Sequence, residues 1–432
     1  MNRSFYFASM VICLVYGMAA QKFEWFPSPQ LHFMVKQAKL ALSEVSGRND
    51  WYYVDAKGRK LVEDYDPEKV QPGLTLLTSI GEDHQLAIKV IDFDGSVVHK
   101  WAVDWYKIWP DATHVPEHLV PKGKPGTHIH GSRLMDNGDI VFNFENIGLI
   151  RLDSCGNEVF KRPFLSHHSI NVDDTGDFWL PTQVLRDKKL KGFPNFTPTF
   201  KDDTISHISK DGELISQVSV MQLLHDNGYD GLLYMSTLSS RKPSVSGDVF
   251  HLNDVEVFPS HLAEGVFKHG DVMVSLRNNN TVFVYDPKTL KIRYLTSGKF
   301  VRQHDPDFID GNSFSVYDNN HIASKDFGHS SKIVIVSALD DSVTSYLKAA
   351  DNLPFFSNIM GKHQWLDNGN LLIVESMNGR TFEVTPDKRR VWQYNNLIAQ
   401  KGVAGIMEGS QRLPRQFDRA FFEAQTTACQ NR

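Results

Sequence analysis

Cysteine is scarce in this chain, and the motifs by which proteins hold nucleotides are missing. Three cysteines in 432 residues are too few to staple a small scaffold. No G-x-G-x-x-G, no P-loop and no G-x-S-x-G occurs, which removes dinucleotide binding, Walker-type phosphate binding and the serine nucleophile elbow. Positive charge is not concentrated either. Lys and Arg total 46 against 51 Asp and Glu, a net charge of −5, and they are spread along the chain, so a nucleic-acid footprint is excluded. Beyond the first twenty residues no apolar run approaches the roughly 20 residues that span a bilayer.

What is present begins with a targeting pattern. Asn2 and Arg3 form a short basic region, Ser4 to Met18 is apolar, and Gly17-Met18-Ala19 places small residues before a cut after Ala19. Residues 1–19 therefore read as a cleaved signal peptide or as a membrane anchor, with the body periplasmic or secreted in either case. Cys13 goes with this segment. Cys155 and Cys429 remain, an even number for an oxidising compartment, and two readings stand open: a disulfide or two separate thiols.

Five stretches then open on histidine and continue as one strand pattern. They are THIHGSRLMDNGDIVF from Thr127, SHHSINVDDTGDFWL from Ser166, HLNDVEVF from His251, QHDPDFIDGNSFSV from Gln303 and KHQWLDNGNLLIVE from Lys362. Apolar residues alternate with polar ones, and turns such as Asp136-Asn137-Gly138 follow. A strand-and-turn repeat of roughly 35–50 residues predicts a β-propeller. The fold expected is all-β, a six-bladed propeller over 74–397, with units at 74–106, 127–162, 166–221, 250–297, 302–348 and 361–396. A helical extension over 20–73, with Leu31, Met34, Val35, Ala38 and Val45 at helical spacing, precedes it, and a tail over 398–432 follows. Trp101, Phe160, Tyr294 and Trp392 end the last strands of units and are expected to pack between blades. The segments at 184–204 and 222–249 break the period and are expected to be loops on one face.

In a propeller, equivalent positions face one axis, so these histidines converge. His251 and Asn253 alternate on one strand and share a face, while Arg277 ends the next apolar strand and His304 opens the following unit. Histidine, arginine and asparagine together make a donor-rich pocket suited to an oxyanion. His128 and His363, at the starts of the second and sixth units, are read as substrate-binding with Asn253 and His168. The short-spaced pairs His128-Ile129-His130 and His167-His168 are the only zinc-like spacings, and alternation along a strand argues against metal. No metal and no cofactor is expected.

The pattern of His167-His168-Ser169, His251-x-Asn253, Ser275-x-Arg277 and Gln303-His304 resembles the bacterial arylsulfotransferases, over most of residues 85–396. The resemblance implies a six-bladed propeller that transfers sulfuryl groups without a nucleotide donor. It implies His304 as the nucleophile that becomes sulfohistidine, with His251, Asn253, Arg277 and His168 on the sulfuryl oxygens. Those enzymes carry an N-terminal β-sandwich used in dimerisation, for which residues 20–73 leave little room. Asp305-Pro306 after the nucleophile departs from the pattern and leaves acceptor choice open.

The function expected is ping-pong transfer from an aryl sulfate to a phenol, with His304, His251 and Arg277 catalytic and only small-molecule partners apart from the membrane in the anchor reading. The alternatives are a secreted propeller that only binds a ligand or partner, and a sulfatase-like hydrolase. Repulsion among His251, Arg277 and His304 is expected to keep His304 neutral. Phe193, Phe196, Phe200, Tyr229 and Tyr234 either roof the pocket to hold an arene or pack in the core.

Overall fold

Strand accounts for 44% of the chain and helix for 13%, the all-β composition that the alternating stretches predict. The computed structural model describes residues 3–23 and 52–431 apart from 82–83, 118–119, 122, 236–243, 323–329, 349–350 and 399–401. Two units divide the chain, Met1–Tyr53 and Val54–Arg432. The first contains a helix over Arg3–Phe23 that runs past the expected cut at Ala19. Phe7, Met10, Ile12 and Leu14 on it are exposed. Among the described residues no helix is long and apolar enough to cross a membrane. The helix expected over Leu31 to Val45 lies outside the described residues.

Six sheets of four to six strands make up most of the second unit, laid down largely in chain order as antiparallel meanders, and a small further sheet pairs Leu397–Ile398 with Val403–Gly405. The second consists of Ile129–Leu134, Ile140–Phe144, Gly148–Leu152 and Glu158–Arg162, and the fourth of Leu252–Val257, Val272–Leu276, Thr281–Asp286 and Lys291–Ser297. The fifth runs from His304–Asp310 through Ser313–Asp318 and Lys332–Ser337 to Val343–Leu347, and the sixth from Lys362–Trp365 to Arg390–Asn395. The first breaks the chain order. Thr75–Ile80 pairs with Leu86–Ile91 on one side and with Met407–Arg412 on the other.

Two expected boundaries are thereby corrected. The segment read as a tail carries a strand, because the edge of Thr75–Ile80 would otherwise present unpaired backbone groups. The tail also carries a helix, Arg419–Gln430, held by a disulfide between Cys429 and Cys155 with Cα atoms 5.4 Å apart. Residues 54–73 belong to the second unit, where Val62–Glu63 adds to the sixth sheet.

Buried apolar clusters lie between successive sheets. Val282, Val284 and Met273 of the fourth meet Phe314, Val316 and Val334 of the fifth. Leu372, Val374 and Trp392 of the sixth meet Leu77, Ile91 and Met407 of the first. Three of the strand-ending aromatics reach a turn of the following sheet, as expected of packing residues. Trp101 Nε1 donates to the Asp153 carbonyl at 3.1 Å, and Trp392 Nε1 to the Phe93 carbonyl at 3.0 Å. Tyr294 donates its hydroxyl to Asp341 at 2.5 Å. The Trp392 contact runs from the last sheet to the first.

The period-breaking segment at 184–204 is not a loop. Phe178–Arg186 and Phe196–Ile208 form one long hairpin of the third sheet, and Val245–Asp248 joins it in parallel. Phe193, Phe196 and Phe200 are each at most 4% exposed, packed with Val220, Leu224 and Leu233, and Tyr229 and Tyr234 lie against the same cluster. The roof is thus excluded in favour of the core reading. Three phenylalanines on an extended hairpin bury apolar area most completely against the helix Val220–Asp226.

Candidate active site

His304 is the first residue of the first strand of the fifth sheet, at one edge of that sheet. The residue before it is clamped. Gln303 is fully buried; its Nε2 lies 3.0–3.1 Å from Ser275 Oγ and the carbonyls of Leu276 and Thr281, and its own carbonyl accepts from Asn253 Nδ2 at 2.7 Å. The fourth sheet therefore fixes where the fifth begins. The His304 ring is in turn oriented by Asn319, the residue that follows the next strand. Asn319 Nδ2 donates to the carbonyls of Ser357 and Met360 at 2.9 and 2.6 Å. That fixes its amide so that Oδ1 faces His304 Nδ1 at 2.7 Å. An amide oxygen only accepts, so Nδ1 carries the proton and Nε2 carries the lone pair. Nε2 is buried without a hydrogen-bond partner.

His251 is set in the same way by a carboxylate. Its Nδ1 lies 2.5 Å from Asp248 Oδ2. Burial alone would push Asp248 up, but the His251 hydrogen bond and the charges of His251, Lys201 and Arg277 take it down to about 2. The ionised carboxylate accepts the Nδ1 proton and leaves His251 Nε2 free to exchange one. Arg277 anchors this turn by donating its backbone N–H to the His251 carbonyl at 3.1 Å, and its side-chain Nε is buried without a partner.

The third histidine arrives through a close approach of backbones. A Cβ on Gly131 would lie 2.1 Å from the His168 carbonyl oxygen, so only glycine lets the second sheet come this near the third. Asn143 bridges the gap, accepting from Gly131 N at 3.0 Å and donating to the His168 carbonyl at 3.2 Å. The His130 and His168 ring centres consequently lie 3.8 Å apart, with His251 5.1 Å and His304 6.1 Å from His168. His168 and His251 both hold φ of +54°, a left-handed backbone that is uncommon for residues with a side chain and gathers at functional sites.

Burial dominates the electrostatics. It pushes His304 down to about 3, with Arg277 and His251 acting in the same direction against the Asn319 hydrogen bond. Burial takes His130 and His168 well below the ordinary imidazole value, their histidine neighbours adding to it, and His251 also falls. The imidazoles are therefore neutral, and the guanidinium of Arg277 supplies fixed positive charge beside His304 and His251.

His304, His251, Arg277 and His168 are thus brought together. Asn253 lines a small cavity of about 20 Å³ with His168, His304, His130, Lys362 and Glu408, and His251 and Arg277 are not among its lining residues. One of its N–H groups is spent on the Gln303 carbonyl, which makes it first a brace for His304. His128 sits one residue pair away, its ring 4.8 Å from His130, with Nδ1 3.5 Å from Glu145. His363 does not join the site, contrary to its reading as substrate-binding. Its side chain is fully buried, with Nε2 2.7 Å from Ser315 and Nδ1 3.1 Å from Asp305. It faces a second cavity of about 250 Å³ lined also by Asp254, Glu256 and Asp307. The two carboxylates beside it raise its pKa against the effect of burial.

Sequence reasoning missed His130, Asp248, Asn319 and Lys362. For His130 the signal was present, since residues two apart on a strand share a face and the alternation that brings His128 inward brings His130 too. Asp248 ends the strand Val245–Asp248 and Asn319 follows the strand Ser313–Asp318, where nothing in the pattern marks a carboxylate or an amide as a histidine partner.

Residues 131–397 match the sequence profile described as Arylsulfotransferase (ASST), a span that holds His168, His251, Asn253, Arg277 and His304. The chain belongs to the arylsulfotransferase family. Membership supports an arylsulfotransferase-type activity on small aryl sulfates and phenols. A search of curated proteins finds no match. Among solved structures, a protein of unknown function from Bacteroides caccae is 13% identical over 78% of this chain and 99% of its own, with a TM-score of 0.47. Virginiamycin B lyase from Staphylococcus aureus is 11% identical over 68% and 87%, with a TM-score of 0.36. The nidogen/laminin complex gives 9% over 78% and 97%, with a TM-score of 0.44. These are faint likenesses to other β-rich structures.

Proposed function

We propose that the six sheets are the blades of a six-bladed propeller, and that this arylsulfotransferase works by a ping-pong exchange through a sulfuryl group carried on His304. The observation that carries the reading is His304 Nε2, a buried, unpartnered lone pair whose tautomer Asn319 fixes. An imidazole held neutral beside a guanidinium is a nucleophile facing the charge that would bind a sulfate ester.

In the first half-reaction, Nε2 of His304 attacks sulfur as the bond from sulfur to the aryl oxygen breaks. The oxygen leaves with the electron pair and takes a proton from Nε2 of His251. Arg277 and the remaining Asn253 N–H stabilise charge on the non-bridging oxygens. In the second half, a phenol gives its proton to His251 as its oxygen attacks sulfur and the N–S bond breaks. His251, neutral in the free enzyme, takes up the proton it donates at Nε2 as the anionic sulfate ester binds and releases it with the product ester, so no net proton is consumed. Phenols have a pKa near about 10, so modest acid assistance suffices for departure. His168, its ring tilted against that of His130, walls the pocket and excludes water from the reacting atoms.

Intact-mass spectrometry after brief exposure to a chromogenic aryl sulfate tests the assignment. The expected result is one sulfuryl adduct mapped to His304 and none in His304→Ala. Transfer retained by His304→Ala, or an adduct mapped elsewhere, refutes it. Release of the chromophore to water without any dependence on added phenol would instead point to a hydrolase.

The N-terminal helix is read as a leader that directs the chain out of the cytoplasm. The basic start and apolar run support it, and the Cys155–Cys429 disulfide suits an oxidising compartment. N-terminal sequencing of the secreted protein should begin at Ala20. An intact Met1 on membrane-bound protein would mean an anchor.

A further inference from the structure

We propose that His128, His130, Glu145 and Glu408 form a binding site for one divalent transition-metal ion of the zinc class, beside the nucleophile but distinct from it. The donor atoms of His128, His130 and Glu145 lie within 4.8 Å of one another. Tetrahedral zinc with bonds of about 2.0–2.1 Å needs its ligands about 3.4 Å apart. Rotation of the half-exposed Glu145 side chain closes that gap, since its carboxylate is already 3.5 Å from His128 Nδ1.

Two independent features point to an absent partner. His130 Nδ1 and Glu408 Oε2 are both buried without a hydrogen bond, in residues 7% and 4% exposed. Native interiors leave few such atoms unpaired. Glu408 lines the same small cavity as His130. Two carboxylates and two imidazoles in one buried corner are a set that a dication would neutralise. Imidazole with carboxylate selects zinc, cobalt, nickel or copper over magnesium and calcium, which prefer all-oxygen shells.

In two other clusters of similar composition one ring nitrogen, His207 Nε2 or His363 Nδ1, also lacks a hydrogen bond, but there the carboxylates have partners of their own. Asp173 accepts from Thr175, Asp177 and the Trp179 indole. His363 lies between Asp305 and Asp307, 3.1 and 3.5 Å away; its own backbone N–H donates to Asp305, the Phe308 N–H to neighbouring Glu256, and Ser315 lies on Nε2. In the His128 corner the carboxylates outnumber any cation placed against them by hydrogen bonds.

The full-length chain, stripped with a chelator, is titrated with Co²⁺, whose four-coordinate complexes absorb strongly in the visible. One equivalent is expected to give these bands and to be displaced by Zn²⁺. Glu145→Gln and His128→Asn should each weaken binding roughly tenfold or more, with circular dichroism confirming the fold. His304→Asn should bind as the parent does. Absence of stoichiometric binding overturns the proposal. So does binding lost in His304→Asn and kept in Glu145→Gln, which would put the ion on the nucleophile cluster. Glu145 is partly exposed and its variant is expected to fold, so the decision does not depend on His128→Asn.

Discussion

Asn319 Oδ1 accepts the Nδ1 proton of His304 at 2.7 Å, and its own Nδ2 is tied to two backbone carbonyls. This one amide decides which nitrogen of the proposed nucleophile is free. Asn319→Ala should leave donor KM near its parent value and lower kcat by between roughly 10²- and 10⁴-fold, the cost of a wrong tautomer or a mobile base. Asn319→Asp restores an acceptor and should recover part of the loss, with the His304 pKa raised. Equal loss in both variants with unchanged pH profiles would mean that Asn319 only supports the fold.

The depressed pKa of His304 makes a linkage prediction. Its folded value is about 3 against 6.5 unfolded, so between these values the unfolded chain binds more protons. Its contribution to stability is full above about pH 6.5 and is lost as pH falls towards 3. Other buried groups, including the raised carboxyls of Glu256 and Asp307, act in the opposite sense. The comparison that isolates His304 is therefore the parent against His304→Asn. The variant's stability relative to the parent should rise by up to about 1.4 kcal/mol per pH unit below 6.5. Denaturant melts at pH 7.5, 6 and 5 measure this, and a difference constant across them would contradict the buried neutral imidazole.

Phe196 is 1% exposed and meets Phe193, Phe200 and Tyr234. Phe196→Ala should cost about 3–5 kcal/mol of stability while donor KM in the folded enzyme stays unchanged. A raised KM with an unaltered melting curve would restore the idea that this hairpin contacts the arene.

The Cys155–Cys429 bond ties the terminal helix to an outer turn of the second sheet, 274 residues away in sequence. Replacing both by Ser should lower stability by about 2–5 kcal/mol, seen as a lower denaturant midpoint, with kcat nearly unchanged because neither residue touches the site. An unchanged midpoint would show that the helix holds without it.

Alternation and turn chemistry along the chain were enough to assign strand, to mark stretches that hold most of each larger sheet, and to point His168, His251, Arg277 and His304 towards one place. Those are local signals, since period-two patterning and Asp-x-x-Gly turns act over fewer than ten residues. Three things needed the tertiary structure. Met407–Arg412 was read as tail because nothing local says which distant edge a lone strand will cover. The 184–204 segment lacked the repeat's period, yet its phenylalanines are core because a hairpin longer than its neighbours packs on the helix beyond it. His363 shares the strand-opening position of the other histidines, but Asp305 and Asp307 capture it in the larger cavity. A repeat pattern fixes where a side chain starts along its strand. Which neighbour it meets, and so which proton it holds, is decided by charges and amides that arrive from other sheets.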